Sequence, residues 1–580
     1  MNKNLWLGLY MAMCLVVATL AGVLARHAWS SIVDYHPPYN FGESPIEPTT
    51  PPWSENVVLI IVDGLRLDMS YQLPEVNRLR NAGADFEALA GSPSFSLPAR
   101  ANFVTGAWPE IHGVTSNYYE KSVATDNLLR LAARHRRSVA IAGIAEWSRL
   151  FGKDLKAAGG EFLAAPPKSE EGHYAEAMTA LEIFADQSIA LWSAKRPNLM
   201  IIDFPATDRA AHEYGAASDP YRSAAQWIDG KIAMITASLD LTRSTIIVTS
   251  DHGHRDQGGH GGTEDIVMRT PLVLAGKGIR VGSKGRAQHI DVAPTVAALL
   301  GLPIPAGSAG TILMDALEVD EASKVGRLQQ AVRQKQRFAR SFFTSLQAAV
   351  PPVFLESVNQ DQTSLQLQRA AGHIDRFIEH GKSLQIDQER RARLPRFLAV
   401  VGILWAGLIL YMWTIRSGWG EVKSVGLGVL SYFTVFGALF WTGGLHFSVS
   451  AMNKDSDLGK FLGKDMLFAA IAMALALALS IWQGRRSLQP KTWRSLLPVS
   501  LIVPVWVVLV LATHIGMTYW QHDLFMRWYL PDIWYQFGSL LSLLQIQAIG
   551  GVTVLAPFML AAVFRWVGPS PPSATSSDTT

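Results

Sequence analysis

The sequence predicts an α/β domain, a mostly parallel sheet flanked by helices, joined to an α-helical transmembrane domain. Three observations predict it. Short, unalternated β-branched runs alternate with helical stretches through the first half of the chain. Acidic residues and histidines stand just after those runs. Apolar runs long enough to cross a bilayer core gather at the N-terminus and in the last third.

The membrane elements come first. The chain has 580 residues, 49% hydrophobic and 17% charged, an apolar-shifted balance. Leu5 to Ala25 is the first apolar run, with Lys3 before it and Arg26 after it, and it reads as an uncleaved anchor. Five more runs follow: Phe397–Ile415, Ser424–His446, Met466–Trp482, Leu496–Met517 and Ser539–Val567. Six spans put both termini on one side. Arg416, Lys423, Arg485, Arg486, Lys491, Arg494 and Arg565 then mark the inner face. The residues from about Arg26 to Pro395 are therefore expected outside the cytoplasm. In a bacterium that means the inner membrane with a periplasmic domain. The one cysteine, Cys14, lies inside the first run, so no disulfide forms within the chain and no thiolate cluster exists. Net charge is +3, too small to point to nucleic acid.

Between the membrane segments the chain divides by composition. Residues 1–26 read as the anchor and 27–53 as a Pro-rich linker. Residues 54–320 form the α/β domain, with strands expected at Val57–Val62, Ser138–Ile144, Leu199–Asp203, Ser244–Thr249 and Pro271–Ala275. Helices are expected at Pro74–Ala82, Thr125–Arg136 and Tyr174–Trp192. Residues 321–395 read as a polar helical connector interrupted at Pro351-Pro352. Residues 396–568 hold the later spans, and 569–580 read as a disordered tail.

In doubly wound folds, ligands gather beyond the carboxyl ends of the strands. Asp63-Gly64 follows the first expected strand. Asp203 ends the third, with Asp208 and His212 at D-x-x-x-H spacing after it. Asp251-His252-Gly253 follows the fourth, and His260 sits in Gly-Gly-His-Gly-Gly. Leaving Asp203 aside, six carboxylate and imidazole groups suffice for two three-ligand sites for divalent zinc, with manganese as the alternative. Asp203 reads as a strand-end residue or as a group orienting a metal-bound histidine. Ser96, within Ser-Leu-Pro-Ala-Arg, is the candidate nucleophile, since a hydroxyl that touches a metal loses its proton more easily. Arg100, one helical turn on, is a candidate to hold a phosphoryl oxygen.

With these residues in view, the chain resembles the alkaline phosphatase superfamily. Asn56–Leu67, Ser94–Asn117, Thr207–Gly215 and Thr249–Gly262 resemble its metal-site and nucleophile motifs, in order. His289–Thr295 with Leu299–Pro303 resembles the stretch that closes that domain. The resemblance spans roughly 55–305 and implies an alkaline-phosphatase-like fold. It implies one metal on Asp63, Asp251 and His252, with Ser96 touching it as nucleophile. The other metal would sit on Asp208, His212 and His260. Asn117 matches the asparagine that supports the phosphoryl oxygen in the type I phosphodiesterase/nucleotide pyrophosphatase branch. His254 departs from what that motif leads one to expect and receives no role.

Asp63-Gly64-Leu65-Arg66 and the layout of the chain are similar to the membrane-bound GPI ethanolamine phosphate transferases. That resemblance implies phosphotransfer through a serine nucleophile on a phospholipid or other lipid-linked phosphate ester at the membrane, with no nucleic acid partner. Water as acceptor would instead make the chain a phosphodiesterase or phosphatase. Ser96-x-Pro-x-Arg100 also fits the sulfatase signature, although sulfatases show paired aspartates where this chain has Asp63-Gly64. A non-catalytic membrane scaffold is the remaining alternative, and every ligand type being present argues against it.

Overall fold

The computed structural model describes residues 3–45, 51–167, 174–351, 362–414, 419–451, 457–488 and 497–567. The tail expected at 569–580, and Arg416, Lys491 and Arg494 of the topology argument, lie outside the described residues. Helix α1 spans Lys3–Val33 and runs beyond the apolar segment that starts it. Strand β1 (Asn56–Val62) then opens the α/β domain. Helices α2 (Leu67–Ser70) and α3 (Pro74–Ala82) follow, then β2 (Gly83–Leu89). Next come α4 (Ser96–Thr105), α5 (Pro109–His112), α6 (Leu128–Arg134), β3 (Val139–Gly143), α7 (Glu146–Ala157) and β4 (Glu161–Ala164). Helix α8 (Tyr174–Lys195), β5 (Leu199–Phe204), α9 (Ala206–Tyr214), α10 (Asp219–Ser238) and β6 (Ser244–Thr249) continue the alternation. Helix α11 (Asp265–Met268), β7 (Arg269–Gly276), β8 (Lys284–Gln288) and α12 (Val292–Leu300) close it.

The eight strands form one sheet in the order β4-β3-β5-β1-β6-β7-β2-β8. Neighbours from β4 to β6 pair in parallel, and β7 alone runs against the others. Strands β1, β5 and β6 are buried along almost their whole length, which is why their sequences are continuous apolar runs. Apolar clusters fill both faces of the sheet. Three strands were not expected from sequence. Strands β4 and β8 lie at the sheet edges and are partly or largely exposed. Strand β2, Gly-Ala-Asp-Phe-Glu-Ala-Leu, is a polar-interrupted run. None presents the buried run by which the others were read.

The register explains where the carboxylates land. Ile61 pairs with Asp203 on one side and with Thr249 on the other. Asp63, Asp203 and Asp251 are thus brought to the carboxyl ends of three adjacent parallel strands.

Two long helices link this domain to the membrane half. Helix α13 (Glu321–Ser345) lays Leu328, Val332, Phe338 and Phe342 into the same apolar cluster as α12. Helix α14 (Ser364–Thr414) runs 51 residues, about 76 Å at helical rise, and carries Pro395 inside it. Its end covers the expected span Phe397–Ile415 as far as Thr414, and Ile415 lies outside the described residues. Helices α15 (Trp419–Thr442), α16 (Asp457–Leu488), α17 (Leu497–His522) and α18 (Ile533–Val567) follow. Among the described residues, five helices are long and apolar enough to cross a membrane, lying within α1, α15, α16, α17 and α18. The chain is an integral membrane protein on this ground.

Polar bonds fasten the two halves. Arg393 of α14 pairs with Asp523, after α17, at 2.6 Å with both side chains buried. Lys382 of α14 pairs with Glu110 of α5 at 2.9 Å. Removing one member of a buried ion pair leaves the other uncompensated, at about 3–5 kcal/mol. Arg393→Met is therefore expected to lower the thermal midpoint of the detergent-solubilised protein by several degrees. Lys382→Met, whose partners are less enclosed, is expected to lower it less; differential scanning fluorimetry checks both.

Candidate metal and nucleophile site

Helix α4 begins at Ser96, with Phe95 in extended backbone before it, so Ser96 is the first helical residue. Its hydroxyl does not cap the helix. It lies 3.0 Å from His252 Nε2 and donates there. The Leu97 backbone N–H donates to Asn117 Oδ1 at 3.0 Å, which fixes the Asn117 amide with its NH2 still available as a donor. Ser96 and Asn117 both line a cavity of about 190 Å³.

The expected ligands fall into two clusters. Asp63 Oδ1 and Asp251 Oδ2 lie 3.6 and 3.5 Å from His252 Nε2. His252 Nδ1 is 3.0 Å from the Gly253 carbonyl, which can only accept. That nitrogen therefore carries the proton, and Nε2 presents its lone pair to the carboxylates and Ser96. In the second cluster, Asp208 Oδ1 lies 3.2 Å from His212 Nε2 and 3.7 Å from His260 Nε2. The two imidazole nitrogens are 3.3 Å apart. His260 Nδ1 donates to the Ser94 carbonyl at 2.9 Å, again leaving Nε2 as the free donor atom of the ring. Two donors on one tetrahedral zinc stand about 3.3–3.5 Å apart, and these separations fall near that range.

Asp63 Oδ1 and Asp251 Oδ2 are buried and have no hydrogen-bond partner. Uncompensated oxygens of this kind, converging on a neutral imidazole, are what a divalent cation requires. The charge state agrees. Burial, with Asp251, Asp208 and Asp203 nearby, raises the Asp63 carboxyl well above the usual carboxylate range against the pull of Arg100. Burial likewise pushes Asp251 up to about 6, again opposed by Arg100. Burial also opposes the charge of Asp208, but its bonds to His212 and His254 outweigh this and hold it well below the usual range. His252 and His260 are held well below the ordinary imidazole value, by burial first and by the neighbouring rings second. Neutral imidazoles are the ligating form. The residues present therefore fit two divalent ions.

Arg100 sits elsewhere than a role on a substrate oxygen requires. Its side chain is fully buried behind the carboxylates and does not line the cavity. Its Nε donates to Asp203 at 2.7 Å and its Nη2 to Asp63 at 2.5 Å, and Nη1 is 3.9 Å from Asp251. Asp203 in turn accepts from Trp147 Nε1 at 2.7 Å. Asp203 thus holds Arg100 rather than a histidine. The physical reason is proximity: three strand-end carboxylates need a positive charge, and α4 delivers the guanidinium from behind them. His254, to which the sequence assigned nothing, is buried with Nε2 2.8 Å from Asp208 Oδ1.

The loop carrying His260 is held from both halves of the protein. Ser94 accepts from the Gly261 N–H and donates to the Gly262 carbonyl. Ser450, in the turn after α15, accepts from the Gly262 N–H at 2.8 Å, and Ser448 and Ser450 both donate to Glu264. A side chain at 262 would strike Ser448, Ser450 and Glu264. The cavity is shared in the same way. Ser96, Asp208, His212 and His260 form one wall; Trp29 and Ile32 of α1, Leu458 of α16, and Ile533 and Phe537 of α18 form the other.

Arg100→Met is expected to leave Asp63, Asp203 and Asp251 facing one another without a cation and to cost about 3–5 kcal/mol. The check is chemical unfolding of the metal-free protein. Asp203→Asn, which removes one of the negative charges, is expected to cost less.

Residues 57–269 match the family model described as type I phosphodiesterase / nucleotide pyrophosphatase. Among curated proteins, the chain is 24% identical over 289 residues to the catalytic subunit of Homo sapiens GPI ethanolamine phosphate transferase 2, covering 46% of this chain and 28% of that one. It is 24% identical over 399 residues to Schizosaccharomyces pombe GPI ethanolamine phosphate transferase 2, covering 63% and 50%. The chain thus spans half or less of the length of these relatives. Similar solved structures include murine ectonucleotide pyrophosphatase / phosphodiesterase 5, inactive, with AMP (14% identity, TM-score 0.39, 46% of this chain and 100% of that one). Wild-type alkaline phosphatase PafA is another (12% identity, TM-score 0.38, the same coverage). Every candidate ligand, together with Ser96, Arg100 and Asn117, falls within residues 57–269, the stretch that matches the type I phosphodiesterase / nucleotide pyrophosphatase model.

Proposed function

We propose that the chain is a membrane-bound, metal-dependent phosphotransferase that uses Ser96 on a lipid-linked phosphate ester, in the manner of a phosphoethanolamine transferase. One observation carries the reading: the cavity that holds Ser96 has its opposite wall built from α1, α16 and α18. A soluble ester needs no such wall. The names of the curated relatives, ethanolamine phosphate transferases acting toward GPI, support the substrate class.

Asp63, Asp251 and His252 would hold one divalent ion beside Ser96, and Asp208, His212 and His260 the other. Bound there, the ions would lower the proton affinity of the hydroxyl and offset negative charge on the phosphoryl group. The rest falls to the chain. Ser96 Oγ attacks phosphorus, and its bond to phosphorus forms as the phosphorus–oxygen bond to the lipid alcohol breaks. The departing alcohol takes up a proton. The free NH2 of Asn117, placed by Leu97, donates to a phosphoryl oxygen as charge builds there. An acceptor hydroxyl then attacks the phosphoserine ester: its oxygen–phosphorus bond forms as the Ser96 Oγ–phosphorus bond breaks, and the proton it loses restores the Ser96 hydroxyl. The apolar side chains of that wall disfavour water as a competing acceptor. We place the catalytic domain outside the cytoplasm, because Lys423, Arg485 and Arg486 lie at the ends of α15 and α16 away from it.

The test is intact-protein mass after incubating zinc-loaded protein in detergent with a phosphoethanolamine lipid. A phosphoethanolamine adduct on wild type, absent from Ser96→Ala, is the expected result. Release of free phosphoethanolamine at the same rate with and without an acceptor alcohol would sink transfer in favour of hydrolysis. A mass change at Ser96 corresponding to formylglycine would replace the reading with sulfatase chemistry.

A pH dependence also follows. The Asp251 carboxyl, raised from 3.8 to about 6, favours the metal-free fold when protonated. That contribution is present below 3.8 and is lost as pH rises through about 6. Zinc, which needs the carboxylate, is therefore expected to raise the thermal midpoint more at about pH 7.5 than at about pH 5. Equal gains at the two pH values would contradict the assignment of Asp251.

A further inference from the structure

We infer that His254 is a fourth donor at the Asp208 site, so that this chain offers its second ion three imidazoles and a carboxylate instead of two imidazoles and a carboxylate. The inference rests on the two-metal reading above.

His254 is fully buried, and its Nε2 is the imidazole nitrogen nearest Asp208 Oδ1, at 2.8 Å against 3.2 Å for His212 and 3.7 Å for His260. The three rings enclose that carboxylate as a near-equilateral triangle. Their centroids are 5.0 Å apart for His212–His254, 4.9 Å for His254–His260 and 5.2 Å for His212–His260. Donor atoms of Asp208, His254 and His260 lie within 4.8 Å of one another, with one from His252 also inside that limit. The His252 nitrogen is the one already committed to Asp63, Asp251 and Ser96, which leaves His254 to the second cluster.

The backbone makes room for this ring specifically. A Cβ on Gly64, which has φ +73°, would lie 2.8 Å from His254 Cδ2 and Nε2. The turn that delivers Asp63 to the first site therefore also seats His254 at the second. In the metal-free state Nε2–H donates to Asp208. A bound ion would take Nε2 in place of that proton, and the ring would stay neutral by carrying its proton on Nδ1. A histidine that only oriented Asp208 would keep its Nε2–H on the carboxylate after loading. The two roles thus differ in how many imidazoles the zinc ions see.

The experiment is zinc K-edge absorption on full-length protein loaded with zinc in detergent, with bound zinc counted by mass spectrometry. Release to a chelator is followed for wild type, His254→Met and His254→Gln. With His254 as donor, two bound ions share four imidazoles, about two per zinc, against about one and a half without it. Both variants are then expected to release one zinc at least about 10-fold faster than wild type. Two ions with about one and a half imidazoles per zinc would overturn the inference and leave the two-metal reading standing. Release rates unchanged in both variants would do the same. Fewer than two ions in wild type would overturn both. If a variant fails to fold, by size-exclusion chromatography, the imidazole count of wild type decides alone.

Discussion

Arg100 lies wholly buried between Asp203 and Asp63, with Asp251 a little farther off. The sheet forces this arrangement. Strands β5, β1 and β6 are neighbours in parallel register, so the acids at their carboxyl ends emerge side by side at one edge. Three ionised carboxylates cannot share a low-dielectric space without cations. One guanidinium offsets part of the charge, and Trp147 steadies Asp203 from behind. Burial first, and the neighbouring carboxylates second, still raise the proton affinity of Asp63 and Asp251. A site short of positive charge, with two buried oxygens lacking partners, fits a divalent ion.

The histidines complete the arrangement by the opposite logic. Burial holds His252 and His260 well below the ordinary imidazole value, and each donates its Nδ1–H to a backbone carbonyl. The carbonyls of Gly253 and Ser94 therefore choose the tautomer and aim Nε2 inward. The Gly-Gly-His-Gly-Gly segment allows this, because its loop passes close to Phe95, Ser94 and the membrane-half serines where side chains would collide.

The two halves of the molecule meet at the site rather than at a distance from it. Ser450 accepts from Gly262, two residues beyond His260, while Trp29, Leu458 and Phe537 wall the cavity opposite Ser96. The membrane helices thus shape the space that Ser96 faces. One cavity therefore joins polar, ligand-type side chains to an apolar wall.

Much of this was legible in the chain itself. Strands β1, β3, β5, β6 and β7, buried along almost their whole length, announce themselves because a strand covered on both faces is mostly apolar, and the acids and histidines at the ends of β1, β5 and β6 are then the candidate ligands. Strands β2, β4 and β8 were silent, since two lie at partly exposed edges and the other is interrupted by polar residues, so none needs that pattern. The roles of Arg100 and His254 were equally silent, and for a different reason. Whether a guanidinium meets substrate or carboxylates, and whether a histidine joins a cluster, depends on distances between segments far apart in sequence. The local sequence determined which residue types stand at the strand ends. Only the tertiary structure decided which of them meet, because register and strand order, set by packing across the whole sheet, bring their side chains within a few ångströms.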